Sequence, residues 1–254
     1  MSAGAIVVRP CHGLAEFERC VELQLAIWGG AELDAVPLPV FVITAEMGGQ
    51  VLGAFDGARM IGFTLAFPGL HRQKPFLHSH MTAVLEEFRD RGVGRQLKLF
   101  QRSEALGRGI KLVEWTFDPL ELRNAHFNIV RLGAIARRIL PNHYGITSSP
   151  LHAGLPTDRL LAEWHLNSPR AVARAEGKES TRRASSNAKL VFVPANIGEL
   201  KRTDPREAEK IQSRVREEFQ HWFAEGYAVL GLENTPQGAS YILETHASPE
   251  TLPA

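Results

Sequence analysis

Cysteine is nearly missing from this chain of 254 residues: Cys11 and Cys20 are the whole supply. That excludes a disulfide framework, and the pair lacks the CxxC spacing of a zinc site, so no metal is expected. A surplus of one charge sign is missing as well. Lysine and arginine number 29 against 28 acids, a formal net charge of +1. Without a global basic field, nucleic acid is not expected as the main partner. No run of about 18 apolar residues occurs, so no transmembrane helix and no membrane partner are expected. The opening MSAGAIVVRPCHG has no charged segment ahead of a long apolar core, so a signal peptide is not expected either. These absences make a soluble, cytoplasmic protein the expectation.

The patterning that is present alternates between strand and helix. Ala5–Pro10 reads as a strand, and Leu14–Trp28 as a helix with Leu14, Phe17, Val21, Leu25 and Trp28 on one face. Pro37 and Pro39 open a second helix that ends near Gly48-Gly49. Val51–Phe55 and Met60–Phe67 flank Asp56-Gly57, a hairpin signal. Phe76–Val84 is a fourth strand, Gly94–Leu106 a helix, Leu112–Phe117 a strand and Glu121–Leu132 a helix. Ala134–Leu140 and Arg159–Leu166 complete the block. The order predicts an α/β (α+β) mixed sheet rather than a doubly wound one. Asn167–Ala188, rich in Ser, Ala, Arg and Glu, reads as a flexible linker. A small C-terminal α+β lobe follows at 189–246, with a helix at Pro205–Phe223 bearing Ile211, Val215, Phe219 and Trp222 on one face. The expected domains are thus 1–166, the linker 167–188, and the lobe, which packs on the main sheet or forms a homodimer contact.

The stretch FLHSHMTAVLEEFRDRGVGRQLKL, Phe76 to Leu99, carries the chemistry. A strand leads into a short loop with Arg89, Asp90, Arg91, Gly92, Val93, Gly94 and Arg95, and a helix follows. Glycine lets backbone turn tightly and approach a ligand, and the start of a helix presents unpaired N–H groups suited to phosphate. A P-loop needs Gly-Lys-Ser/Thr, but Arg95 and Gln96 follow Gly94. A dinucleotide fingerprint needs a third glycine where Leu97 stands. The remaining pattern, Arg89-x-x-Gly92-x-Gly94, resembles the acyl-coenzyme A pyrophosphate loop of the GNAT acyltransferase superfamily. A plain strand–helix turn with solvated arginines is the alternative.

Further residues carry the same resemblance. Val84 stands five residues before Arg89, where the superfamily usually has valine, and the order of elements matches. RNAHFNIVRLG, Arg123 to Gly133, resembles the second coenzyme A helix. The runs HSHMTAV, WTFDPLELRNAHFNIVRLGA and LPTDRLLAEW resemble a bacterial subgroup of GNAT acetyltransferases. The likeness spans about Ala5 to Leu166. It implies acetyl-CoA or another acyl-CoA as co-substrate. Met81, Thr82, Ala83 and Val84 would pair with the pantetheine arm as an added strand, amides of Arg89 to Arg95 would hold the pyrophosphate, and Asn124 and Asn128 would contact pantetheine or line the acyl site.

Acylating an amine requires its neutral form, so a base is useful, and histidine is suited to that work. His78 and His80 are two apart on a strand and share a face. The arylalkylamine N-acetyltransferase family has a His-x-His at the same offset from its own loop, so the resemblance makes His80 and His78 candidates for proton removal through water. The alternative is a pair of structural histidines. Many GNAT members carry a thiolate-protonating Tyr where Ile129 stands here. Tyr144 is the substitute considered, with Asp118 read as a turn residue before Pro119. Arg137-Arg138 and Asp158-Arg159 are candidate carboxylate binders or surface pairs. The four tryptophans read as core or interface, and Arg182-Arg183 as a solvated cluster. The expected acceptor is a small-molecule amine or an amino acid. Its pocket would come from Ala31–Pro39 and the loop Gly69–Pro75. The rival reading is a catalytically silent acyl-CoA sensor, which Ile129 favours.

Overall fold

The computed structural model of the protein describes residues 5–28, 35–146, 154–178 and 184–246. The chain divides into two compact units, Met1–Glu114 and Trp115–Ala254.

In the first unit, β1 (Val7–Pro10), β2 (Gln50–Asp56), β3 (Arg59–His71) and β4 (Lys74–Val84) form an antiparallel sheet in chain order. The start of β5 (Leu112–Phe117) lies parallel to β4, which makes the sheet mixed. Helices α1 (Gly13–Trp28) and α2 (Leu38–Glu46) bury Phe17, Cys20, Leu23 and Phe41. These pack with Phe63, Leu65 and Ala83 of the sheet. The buried face of α1 is rotated from the expected one: Leu14 is 60% exposed and Trp28 39%. Helix α3 (Val93–Gly107) covers another cluster through Val93 and Leu97, against Leu52, Ala54 and Ile61. Both cysteines are buried and free.

The hairpin at Asp56-Gly57 forms as its sequence predicts, with Asp56 opposite Arg59 and Gly57 at φ 58°. The segment Gly69–Pro75 corrects the expectation of a loop. Gly69 pairs with Phe76 and His71 with Lys74, so strand runs to a two-residue turn at Arg72-Gln73. Those residues have φ 46° and 64°, the geometry of a primed hairpin turn built without glycine or asparagine. Residues 31–34 of the other expected pocket segment lie outside the described residues.

In the second unit, β6 (Ile135–Leu140) pairs with β7 (Arg159–His165), and β6 also meets β9 (Tyr227–Thr235). β9 pairs with β10 (Gly238–Thr245), which pairs with β8 (Lys189–Pro194). The C-terminal strands thus extend the β6–β7 sheet. Helix α4 (Leu122–Ala125) continues into a π-helical turn, His126–Arg131. The expected linker contains a helix, α5 (Pro169–Ala175), capped by Ser168 with Ala171 fully buried. Arg182-Arg183 lies outside the described residues. A further short helix, α6 (Ile197–Thr203), precedes α7 (Pro205–Ala224), whose buried face is Ala208, Gln212, Val215 and Phe219.

Candidate active site

β4 sets the first unit's site through its hydrogen-bonding edge. Its parallel register with β5 runs through Leu77 opposite Val113 and His78 opposite Glu114. From Ser79 to Val84 that edge of β4 has no strand partner among the described residues, while β3 occupies the other. Met81, Thr82, Ala83 and Val84 therefore present backbone groups to whatever lies alongside. Thr82 reaches the other way, its Oγ1 3.1 Å from Thr64 Oγ1.

A β-bulge interrupts β4 at His80. Leu65 pairs with Met81 and Ala66 with Ser79, leaving His80 without an opposite residue. The bulge reverses the strand's phase. Ser79 is buried toward α3, whereas Met81 and Ala83 pack with the α1–α2 cluster. His80 keeps to the α1–α2 side, its ring 5.2 Å from Phe67 and 6.3 Å from His78. The expected His78–His80 neighbourhood is thus present. The outer edge of His80 remains exposed, and loss of water on its inner side lowers its pKa from the usual histidine value. Because solvent still reaches the ring, that depression is modest in its energetic meaning.

The loop after β4 turns twice into left-handed backbone, at Asp90 (φ 60°) and Gly92 (φ 78°). Gly92 is the N-cap of α3 and brings no side chain to the amides of its first turn. A Cβ at Gly92 would meet nothing within 4 Å; the residue is required by its φ rather than by crowding. The arginines are less concentrated than the sequence implies. Arg89 Nε donates to the Val84 carbonyl at 3.3 Å, and the Arg91 guanidinium sits 5.2 Å from the Phe88 ring centre. Val93 is buried under the loop; Gly94 and Arg95 lie in the first turn of α3.

Two buried polar groups beside β4 gave no sequence motif. Glu114 Oε2 lies 3.0 Å from His71 Nε2, while Glu114 Oε1 is buried with no hydrogen-bond partner among the described residues. Lys98 of α3 is 3% exposed and donates to Ser79 Oγ at 2.7 Å and to Gln101 Oε1 at 3.0 Å. Burial pushes its amine down to a pKa of about 7. A lysine and a glutamine on the buried face of a helix were the available signal.

The second unit holds the other expected site residues. Asn124 is exposed on α4; Asn128 is 2% exposed in the π-turn, its Nδ2 without a partner among the described residues. A π-turn turns side chains away from their α-helical directions and often marks a functional position. Ile129 is fully buried, so no proton donor stands there. Tyr144 is 48% exposed and its hydroxyl is 2.9 Å from Thr116 Oγ1. Asp118 is a turn residue, as expected: Oδ1 accepts from Leu120 N at 2.8 Å, while Oδ2 meets buried Lys201 at 3.2 Å. Arg137 is paired with buried Glu163, and Asp158 with Arg216 at 3.0 Å. Both are occupied by structural ion pairs. Of the tryptophans, Trp115 and Trp164 are core residues in edge contact, 6.1 Å between ring centres.

No protein-family model matches the sequence, and no curated protein matches it. Solved structures do match in shape. Arabidopsis thaliana NAA60 in complex with acetyl-CoA superposes with TM-score 0.53 at 15% identity, over 63% of this chain and 99% of that one. A GNAT-family protein from Desulfovibrio desulfuricans gives 0.52 at 14%, over 64% and 99%. The ribosomal-protein-S18-alanine N-acetyltransferase of Escherichia coli gives 0.51 at 13%, over 63% and 94%. The chain therefore has the GNAT acetyltransferase fold, as its sequence predicts.

Proposed function

We propose that the protein is an acyl-CoA-dependent N-acyltransferase. The observation that carries this reading is the edge of β4 beyond His78. It offers backbone from Ser79 to Val84 for an extended amide-bearing arm, and the loop that follows leads to a helix start whose N-cap brings no side chain to the first amides. Pantetheine with its pyrophosphate fits that order of groups: an amide-rich arm added as a strand, then a dianion at a helix N-terminus. The fold is one in which NAA60 binds acetyl-CoA, which supports the same donor here. Asn128 Nδ2, buried with no hydrogen-bond partner among the described residues, is the proposed side-chain donor from the π-turn to the arm. Asn124 is the proposed exposed contact beside it in sequence.

In the proposed reaction the neutral amine attacks the thioester carbonyl carbon. The C–N bond forms and the C–S bond breaks. Backbone N–H near Thr82 or Ala83 stabilises charge developing on the carbonyl oxygen. His80 accepts the amine proton through water, with His78 as its neighbour. Its lowered pKa keeps the ring neutral, and able to accept, at neutral pH. Tyr144 is the proposed donor to the departing thiolate. The proposed acceptor is a small-molecule amine or an amino acid.

One observation favours a second reading, an acyl-CoA sensor without turnover: Ile129 is buried and has no ionisable proton to donate. Thiol release from acetyl- and succinyl-CoA, measured against a panel of amines, amino acids and peptides, decides between them. Release that depends on one acceptor class supports the enzyme. Tight acyl-CoA binding without release across the panel supports the sensor. Absence of binding overturns both.

A further inference from the structure

Arg137 and Arg138 are adjacent on a strand yet share one of its faces. Between the pairs Ala136–Ala162 and Ile139–Leu160, β6 carries two residues and β7 one, so both arginines stand opposite Leu161. Neither is left-handed. In a bulge of that kind the first of the two residues takes a helix-like turn, so the alternation of faces breaks at Arg137 and resumes from Arg138. Arg138 therefore lies on the face of Leu140, whose partner across the ladder is Arg159. Arg137 reaches the same face: its Nε donates to Glu163 Oε1 at 3.2 Å, and Glu163 lies four residues from Arg159 on unbroken β7. On a regular strand neighbouring residues would point apart. The bulge gathers three arginines around Leu161.

Glu163 meets Arg137. Arg159 lies against an aromatic ring, its Cζ 5.5 Å from the centre of Tyr144. Arg138 makes no hydrogen bond or ion pair among the described residues, and its Nε is buried. A guanidinium keeps its charge, so a buried N–H on it stays costly until an acceptor meets it. Arg138 and Arg159 are diagonal neighbours on the ladder, within reach of a shared ligand for side chains of this length. A planar carboxylate matches a guanidinium fork in shape and in single charge. A phosphate dianion costs more to bring out of water onto a half-buried face.

We propose that Arg138, with Arg159 beside it, binds a carboxylate carried by one of the two substrates. That carboxylate belongs either to the acceptor, as in an amino acid, or to a dicarboxylic acyl chain such as succinyl. The inference rests on the acyltransferase reading for the source of the carboxylate. The site itself is a property of the free protein. Its Arg159 touches the ring of Tyr144, the proposed donor to the thiolate.

The test follows the Arg138 Nε–H resonance of the full-length protein, assigned by its loss in Arg138→Lys. Succinate, alanine and inorganic phosphate are titrated in turn at fixed ionic strength, with and without CoA. A saturable downfield shift with succinate or alanine, and a weaker response to phosphate, is expected. Kinetics then name the source. If the acceptor carries the carboxylate, Arg138→Gln lowers the ratio of kcat/KM for an amino acid to that for its decarboxylated amine by about 10- to 10²-fold. If the acyl chain carries it, the ratio for succinyl-CoA over acetyl-CoA falls by the same factor. Arg138→Lys, which keeps the charge without the fork, recovers part of either loss. An Arg138 resonance that no carboxylate moves overturns the inference, as does one that phosphate saturates first. Should Arg138→Gln not fold, the wild-type titration decides the site and Arg159→Gln supplies the ratios. Thiol release with neither ratio changed in a folded variant removes this inference and leaves the acyltransferase reading standing. A carboxylate-dependent shift in a protein that releases no thiol upholds the site and removes the acyltransferase reading.

Discussion

The Arg170 guanidinium lies 2.6 Å from the carbonyl oxygen of Ile129, and a second nitrogen of the same group lies 3.0 Å from that of Gly133. A π-turn ends with carbonyls that no following helix satisfies. Here α5 supplies the donors, with Trp164 Nε1 on the Leu132 carbonyl at 2.9 Å. Arg170→Met is expected to cost about 1.5–3 kcal/mol, the range for hydrogen bonds made by charged groups. The denaturation midpoint in urea checks this. Arg170→Lys recovers less than half, because a point charge cannot span both carbonyls.

His80→Ala is expected to lower kcat by about 10²-fold or more, the scale of general-base contributions, with CoA affinity retained. The base must be neutral to work, so kcat/KM rises as pH rises through its pKa. Desolvation puts that pKa below the usual histidine value, so the acidic limb of the wild-type profile falls below pH 6.5. A limb above that value would remove His80 as the base.

Gly92 holds φ 78° with open space around its Cα. Gly92→Val therefore strains backbone without a clash, at about 1–2 kcal/mol for a left-handed residue. It also perturbs the amides at the start of α3. The expected outcome is weaker CoA binding by calorimetry, with a smaller loss in Arg89→Ala, whose side chain is partly engaged with the Val84 carbonyl.

Lys98 makes stability depend on pH in a calculable direction. Folded, its pKa is about 7; its ordinary value is 10.5. Between those values the unfolded chain holds a proton that the folded chain has released, so stability rises with pH across that window. Below pH 7 both states are protonated and the penalty is constant. The full span is at most about 5 kcal/mol at 1.36 kcal/mol per unit. Subtracting the pH–stability curve of Lys98→Met from that of the wild type isolates the rise; a flat difference would show that Lys98 titrates normally.

The legible parts of the fold were those fixed by local chemistry. Asp56-Gly57 announced its turn because glycine takes positive φ at little cost, and Pro39 stood at the start of a helix where its missing N–H does no harm. The turn at Arg72-Gln73 was illegible because neither residue is a usual occupant of left-handed backbone. The long antiparallel pairing of β3 with β4 imposes it instead. Helix α5 carried readable signals, Ser168 as cap and Pro169 at the first position, but its Ala and Arg composition lacks an apolar stripe. In the candidate site, the Arg89–Gly94 loop and the histidine pair were visible as motifs. The bulge at His80 was not, since register is a property of two strands together. Lys98 and Glu114 were hidden for a related reason: a charged residue looks like surface until its neighbours in space are known.

The burial of Cys11 and Cys20, at 5% and 0% exposure, bears on how the protein can be handled. Thiol–disulfide exchange requires an accessible thiolate, and the hydrogen bond with Cys11, together with burial, raises the Cys20 pKa far from that state. The folded chain thus contributes no fast-reacting sulfur of its own. A colorimetric thiol reagent added during turnover counts donor-derived thiol against an almost blank background, and a slow late signal from the same reagent doubles as a clock for unfolding.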